Sequence, residues 1–288
     1  MNRSIIYTLF LSIIGFLSSC STSVEPVDGY AEYEKLALQY GKDNSLSLIK
    51  AESGVYYLKT KENPSGRVPI AGEILKVNYV KKTLAGVFKD SSDRSINAPK
   101  AFVLANYGSE FVYTAVLLKE GESGIFILPA TDKSGVQTIY AYNVNLISTR
   151  NEMEQIEEYI KKEFVNVPLK KTTSGLRYII TKPSATGDSA KLGKSVTVAY
   201  TGKFLYKYAS SDSNGFPTYT DIFDKGAAYT FPQGANVSGF NEAISNMKVG
   251  DKGTFIFPSS LGYGQTLRGI IPPNSPLFFE IEVTAIIK

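Results

Sequence analysis

The feature that most constrains this chain is that it repeats itself. "SGVYYLKT", from Ser53, recurs as "SGLRYIIT" from Ser174, an offset of 121. The same offset carries Gly72 onto Gly193 and "LKVNYV" (75–80) onto "VTVAYT" (196–201), so that Tyr79 matches Tyr200. "FVYTAVLLKEGESGIFILPA", from Phe111, matches "FNEAISNMKVGDKGTFIFPS", from Phe240, at an offset of 129. That register holds at Gly121/Gly250, Gly124/Gly253, Phe126/Phe255 and Pro129/Pro258. "AYNVNLI" (141–147) then matches "EIEVTAI" (280–286) at 139. Chance does not hold such registers, so one domain is present twice.

Where the offset changes, the copies differ. The second gains eight residues net, mostly around "ASSDSNGFPTYTD" (209–221), and ten more within "SSLGYGQTLRGIIPPNSPLF". It therefore owns a loop, "GIIPPNS", that the first copy largely lacks.

Val196, Val198 and Tyr200 alternate with polar residues. So do Phe279, Ile281, Val283 and Ala285 against Glu280, Glu282 and Thr284. Period-two alternation predicts an antiparallel sheet with one covered face. The one short helical segment in the second copy is Gly239 to Met247, with Phe240, Ile244 and Met247 on a common side. A helix precedes each sheet: Met153, Ile156, Ile160 and Phe164 recur at helical spacing behind an Asn151–Glu154 capping pair. A weaker equivalent lies around Tyr33 to Tyr40. The domain boundary falls near Thr149. The expected fold class is α+β, two domains in each of which a curved antiparallel sheet wraps a short helix.

Composition narrows the chemistry. There is no histidine and one cysteine among 288 residues, so the commonest acid–base catalyst is missing and neither an internal disulfide nor a Cys-cluster metal site can form. No metal and no cofactor is expected. With 31 basic against 27 acidic residues, scattered along the chain, no nucleic-acid partner is expected either. The lone Cys20 ends an N-terminal stretch made of Arg3, an apolar run from Ile5 to Leu17, and "LSSC". That run is too short to span a bilayer, which needs about 20 residues, but it suits a secretory signal. "LSSC" resembles the lipobox of bacterial lipoproteins, which implies removal of residues 1–19 and a membrane anchor on Cys20 in the cell envelope. The competing reading is an ordinary signal peptide with an incidental cysteine. Residues 20–46 then read as a tether with a short helix.

"VAYTGKF", "IFDKG", "VSGFNEAISNMKVGDKGTFIFPSSLGYG" and "GIIPPNSPLFFEIEV" stand in the order and approximate spacing of the FKBP-type peptidyl-prolyl cis–trans isomerases. The resemblance covers 174–288; residues 47–149 resemble the same fold through the repeat, with 150–173 as a linker helix. It implies a pocket for a prolyl side chain. Tyr200 matches the family's wall tyrosine, Phe223 and Asp224 its Phe-Asp pair, and Tyr229 and Phe231 two aromatics on the next strand. Val237 matches the residue whose N–H meets the ligand, and Phe240 a floor position that is often Trp. Tyr263 matches the loop tyrosine whose hydroxyl reaches the substrate carbonyl; Ile270, Ile271 and Phe279 close the far side. Taken alone, Tyr200, Phe231 and Phe279 read as sheet core, and Asp224 as a turn residue.

The resemblance also implies a mechanism that needs no nucleophile. Amide resonance sets a rotation barrier of roughly 18–20 kcal/mol, and an apolar cup hosts the twisted, less polar amide better than the planar one. The expected clients are proline-containing polypeptides outside the cytoplasm. The rival readings are a non-catalytic chaperone built on the same folds, and a structural envelope lipoprotein. The first copy keeps Tyr79 and Phe88 but is aligned with Lys89 opposite Asp224, and has no Ile-Ile-Pro-Pro loop. It is expected to be non-catalytic, and to bind clients, mediate dimerisation or space the second copy from the membrane.

Overall fold

The computed structural model describes residues 29–92, 99–104, 110–131, 137–191, 193–211 and 217–287. Cys20 with the signal segment, and the centre of the 209–221 insertion, lie outside them. The described residues fall into two compact units, 29–69 with 77–92 and 110–148, and 70–76 with 99–104 and 149–287.

The elements run α1 (Gly29–Asp43), β1 (Ile49–Lys50), β2 (Tyr56–Lys61), β3 (Ile74–Thr83), β4 (Phe88–Ser91), β5 (Lys100–Val103), α2 (Glu110–Ala115), β6 (Ser123–Thr131) and β7 (Gln137–Arg150). Then follow α3 (Glu152–Glu163), β8 (Lys170–Lys171), β9 (Arg177–Lys182), β10 (Ser195–Ser211), β11 (Pro217–Pro232), α4 (Ser238–Ser245), β12 (Lys252–Phe257) and β13 (Leu277–Ile287). The first sheet follows the path β1-β2-β6-β7-β3-β4, and the second β8-β9-β12-β13-β10-β11, the same order strand for strand. The duplication is thus structural, and the α+β class holds.

The shared glycines explain why the repeat is visible in sequence. Gly121 and Gly250 turn at φ +84° and +89°, and Gly72 and Gly193 at +90° and +84°, a region costly for any residue with a Cβ. Gly124 and Gly253 leave room for an aromatic: a Cβ on either would come within 2.9 Å and 2.8 Å of the Phe126 and Phe255 rings. Those rings stack on Tyr57 and Tyr178, each at 5.8 Å between centroids and nearly parallel.

Strand pairing corrects one register. Phe126 faces Tyr142 and Phe255 faces Phe279, so β7 matches β13 at an offset of 137, not 139. A two-residue slip keeps every side chain on its own face, so alternation could not detect it.

The lead-in helices belong to their units. Tyr33 and Ala37 of α1 bury against Tyr56, Ile127 and Ala141, and the Tyr33 hydroxyl donates to the Ile127 carbonyl at 2.7 Å. The α3 helix, expected as a linker, lies on the second sheet: Ile156 packs fully buried against Ile256 and Phe278. Its Asn151–Glu154 capping box forms as expected. Met153 shares the helical spacing but stays 42% exposed.

Candidate functional site

On the other face of the second sheet, one cluster joins α4 to the strands. Phe240, Ala243 and Ile244 from α4, with Met247 just past its end, pack with Val198, Phe231, Phe257, Phe279 and Ile281. Its open end is almost entirely aromatic. Phe240 meets Phe279 edge-on at 5.1 Å, Tyr200 at 5.8 Å and Phe231 at 5.7 Å. Phe223 meets Phe279 edge-on at 5.7 Å. Tyr229 stacks on Phe231 at 4.9 Å and contacts Tyr200 at 5.8 Å. Ile271 is buried against this group, and Val237 and Tyr263 pack on it partly buried. Of the eleven positions expected to form the pocket, ten therefore converge, through that cluster, ring contacts or a hydrogen bond to it; Ile270 is 56% exposed and stays out of the cluster.

Three local devices aim these side chains. Asp224 pairs with Gly202 and Ile222 with Lys203, leaving Phe223 as an extra residue in β11; such a bulge redirects a side chain and sharpens local twist. The Tyr200 hydroxyl donates to Asp224 at 2.8 Å. Burial, reinforced by that carboxylate, pushes the phenol's pKa up, so it remains a donor at neutral pH. Finally, α4 starts at Ser238 behind Val237, whose extended backbone (φ −58°, ψ 148°) precedes the helix without a side-chain cap. Asn241 supports that entry by accepting the Gly234 and Asn236 amides.

The proline-rich loop has a defined shape. Arg268 and Ile271 exchange two backbone hydrogen bonds, at 3.0 and 2.9 Å, around Gly269 at φ +57°. Pro272 and Pro273 offer no N–H, and the Asn274 amide then donates to the Gly264 carbonyl at 2.8 Å. The loop is thereby closed onto the one that carries Tyr263. Neither the Tyr263 hydroxyl nor the Val237 amide has a hydrogen-bond partner among the described residues, so two donors flank an aromatic cup.

A cleft of about 780 Å³ borders Tyr200 and Ile281 as well as Thr201, Lys252, Glu280 and Glu282. Lys252 and Glu282 pair across it at 2.8 Å. Among the described residues, no group of three or more His, Cys, Asp or Glu side chains could hold a metal ion.

Residues 187–284, which contain this cup, match the family model described as FKBP-type peptidyl-prolyl cis-trans isomerase. A relative from Gibberella zeae, FK506-binding protein 1, is 35% identical over 109 residues, 38% of this chain and 94% of that protein. The chain belongs to the FKBP-type family. FKBP-type peptidyl-prolyl cis-trans isomerase FkpA of Aeromonas hydrophila is 36% identical over 132 residues, 46% of each protein. The chain thus spans about half the length of such FkpA relatives. The crystal structure of FkpA from Escherichia coli matches at 27% identity over 48% of this chain and 59% of that one, with a TM-score of 0.39.

Some residues of this FKBP-type cup escaped the sequence reading. Phe257 stacks under Phe279 at 5.6 Å, and Phe204 backs Phe223 at 5.0 Å; both look like ordinary strand core in sequence. More telling are three glycines inside the quoted motifs. A Cβ on Gly202 would come within 2.7 Å of the Phe223 ring and 2.9 Å of the Phe279 ring. One on Gly226 would come within 2.7 Å of Tyr200, and one on Gly239 within 2.6 Å of Phe257. The cup closes because these positions have no side chain.

The first unit has lost that permission. Val80 pairs with Ser91 as Thr201 pairs with Lys225. Asp90 is therefore the counterpart of Asp224, and Lys89 that of Phe223. This corrects the sequence alignment, which the shared phenylalanines Phe88 and Phe223 had drawn one residue out of register. The Tyr79 hydroxyl accordingly donates to Asp90 at 2.5 Å. At the positions of Gly202, Gly226 and Gly239 stand Lys81, Ser92 and Glu110. Lys81 pairs with Glu110 at 3.6 Å, its ammonium 4.3 Å from the Tyr140 ring centroid and 5.2 Å from that of Tyr142, the counterpart of Phe279.

Proposed function

We propose that the second unit catalyses cis–trans isomerisation of peptidyl-prolyl bonds. The observation that carries this reading is the aromatic cup of Tyr200, Phe223, Tyr229, Phe231, Phe240, Ile271 and Phe279 flanked by two unpartnered donors. A proline ring fits an apolar cavity of this kind. The Tyr263 hydroxyl and Val237 N–H would hold substrate carbonyls, while the cup favours the twisted amide over the planar one. Each ~1.4 kcal/mol gained at the twisted state alone accelerates rotation about tenfold. Asp224 acts by fixing the Tyr200 hydroxyl, and with it the ring.

The first copy (47–149) is proposed to be degenerate, with no isomerase activity, since an ion pair lies where the second copy keeps its rings in contact. A client-holding role suits it better, and a chaperone reading for the whole chain survives only if the second unit also lacks activity. We further propose, on the "LSSC" signal alone, that Cys20 carries a lipid anchor and that the clients are exported polypeptides.

The test is acceleration of a proline-limited refolding reaction by the whole chain in mild detergent. Tyr263→Phe should slow it by roughly 2- to 10-fold, the loss of about one hydrogen bond. A Phe223→Ala/Asp224→Ala double variant should lose about 100-fold, or ~2.7 kcal/mol. A folded chain that suppresses client aggregation yet leaves the refolding rate unchanged would move the reading to a chaperone.

A further inference from the structure

The α3 helix does more than cover the sheet. Glu152, its first residue, accepts hydrogen bonds from both the backbone amide and the hydroxyl of Ser259, the latter at 3.0 Å. Ser259 is 5% exposed and opens the short 3-10 turn Ser259–Leu261 that leads to Tyr263. Its carbonyl accepts the amides of Gly262 and Gly264, both at 2.8 Å. These are the residues on either side of Tyr263. The same turn is also held by Ser238, whose hydroxyl donates to the Leu261 carbonyl at 3.3 Å, and the far side of Tyr263 by the Asn274 amide on the Gly264 carbonyl. The helix that supplies Glu152 is itself anchored, by Ile156 against Ile256 and Phe278 and by Glu157 on the buried Arg177 at 2.7 Å.

We propose that Glu152 is a positioning residue for Tyr263. Its carboxylate fixes Ser259, and the Ser259 carbonyl fixes the two glycine amides that bracket the tyrosine. Glycines on both sides leave that stretch with maximal conformational freedom, so its placement depends on these hydrogen bonds. Charge-assisted hydrogen bonds are roughly twice as strong as neutral ones, which suits an anchor of this kind. The catalytic unit of this chain would then include the helix ahead of its sheet. The inference rests on the isomerase reading, because it assigns the loop's placement a purpose.

A double-mutant cycle between Glu152→Ala and Tyr263→Phe in the full chain tests it, read as kcat/KM for prolyl isomerisation. Glu152→Ala should lower kcat/KM by about the same factor as Tyr263→Phe, mostly in kcat, and the double variant should be no slower than Tyr263→Phe alone. Glu152→Gln, which keeps one acceptor oxygen for the Ser259 amide, should recover most of the loss. Multiplying losses, or no loss in Glu152→Ala, would overturn the proposal. Amide hydrogen exchange supplies a readout independent of activity: Gly262 and Gly264 should exchange about tenfold faster in Glu152→Ala while β13 amides are unchanged. If the parent chain shows no isomerase activity, the functional reading fails, and unchanged exchange at the two glycines would still sink the positioning role. Should Glu152→Ala fail to fold, Ser259→Ala, which removes only the hydroxyl contact, is expected to give a smaller loss in the same cycle.

Discussion

At the scale of single residues, the cup depends as much on absent side chains as on present ones. Gly202 is paired to Phe279 on one side and Asp224 on the other, beneath the Phe223–Phe279 contact. Gly202→Ala should force those rings apart. Overpacking typically costs 1–3 kcal/mol, so kcat/KM should fall roughly 10- to 100-fold while far-ultraviolet circular dichroism stays unchanged. An active Gly202→Ala variant would show that the Phe223 wall is dispensable. Glu152 makes a second residue-level prediction, this one in pH. Burial raises its carboxyl pKa, opposed by the Ser259 hydrogen bonds. A carboxyl raised on folding contributes stability that is fully present below its unfolded pKa and lost as pH rises through the folded value. Glu152→Gln carries no such loss, so its stability relative to the parent should increase as pH rises through that window. Urea midpoints measured across it check this; a difference that shrinks with rising pH would refute it.

At the scale of elements, much was legible because the repeat marks what each element requires. Glycines with positive φ and the Gly124/Gly253 gaps under stacked rings kept their identity in both copies, and the capping pair of α3 is local chemistry. The misreadings have physical causes. The β7/β13 match slipped by two residues because a pleat repeats every two. The β4/β11 match slipped by one because both copies bulge there, but the phenylalanine stands at the bulge in the second (Phe223) and one residue ahead of it in the first (Phe88). The Lys81–Glu110 pair and the Glu152–Ser259 contact are long-range, joining residues 29 and 107 apart in sequence. The docking of α3 allows a stability prediction. Ile156 is fully buried, and truncating a buried isoleucine to alanine costs about 2–5 kcal/mol. Ile156→Ala should lower the urea midpoint of the second unit accordingly, whereas Met153→Ala, on the exposed side, should change it by less than about 0.5 kcal/mol. Equal effects would mean that the helix is not held by this face.

At the scale of the whole molecule, the two copies keep one fold with two different settings around its central rings. Both retain the strand order, the turn glycines, the tyrosine–aspartate hydrogen bond and an edge-on pair of aromatics, Phe111 with Tyr142 at 6.2 Å and Phe240 with Phe279 at 5.1 Å. A Tyr–Asp pair and a sheet wrapped on a helix are therefore not sufficient for a cup. What differs is what stands beside those rings. In the second unit it is further aromatics; in the first it is a lysine from the strand paired with a glutamate from the helix, and Lys89 replaces the aromatic wall. A prolyl ring would have to displace an ion pair and bury its charges, which is costly without compensating partners. The Phe223→Ala/Asp224→Ala chain, with an untouched first unit, should accordingly show no catalysis above the roughly 100-fold reduced level expected of the crippled cup alone. Adding Lys81→Gly and Glu110→Gly should leave that rate where it is, because the Tyr263-type loop and its donor are still missing, while restoring weak binding of a proline peptide to the first unit by titration. A rate that climbs on opening the first cup would refute this, and would make the ion pair rather than the shorter loop the feature that limits the first copy.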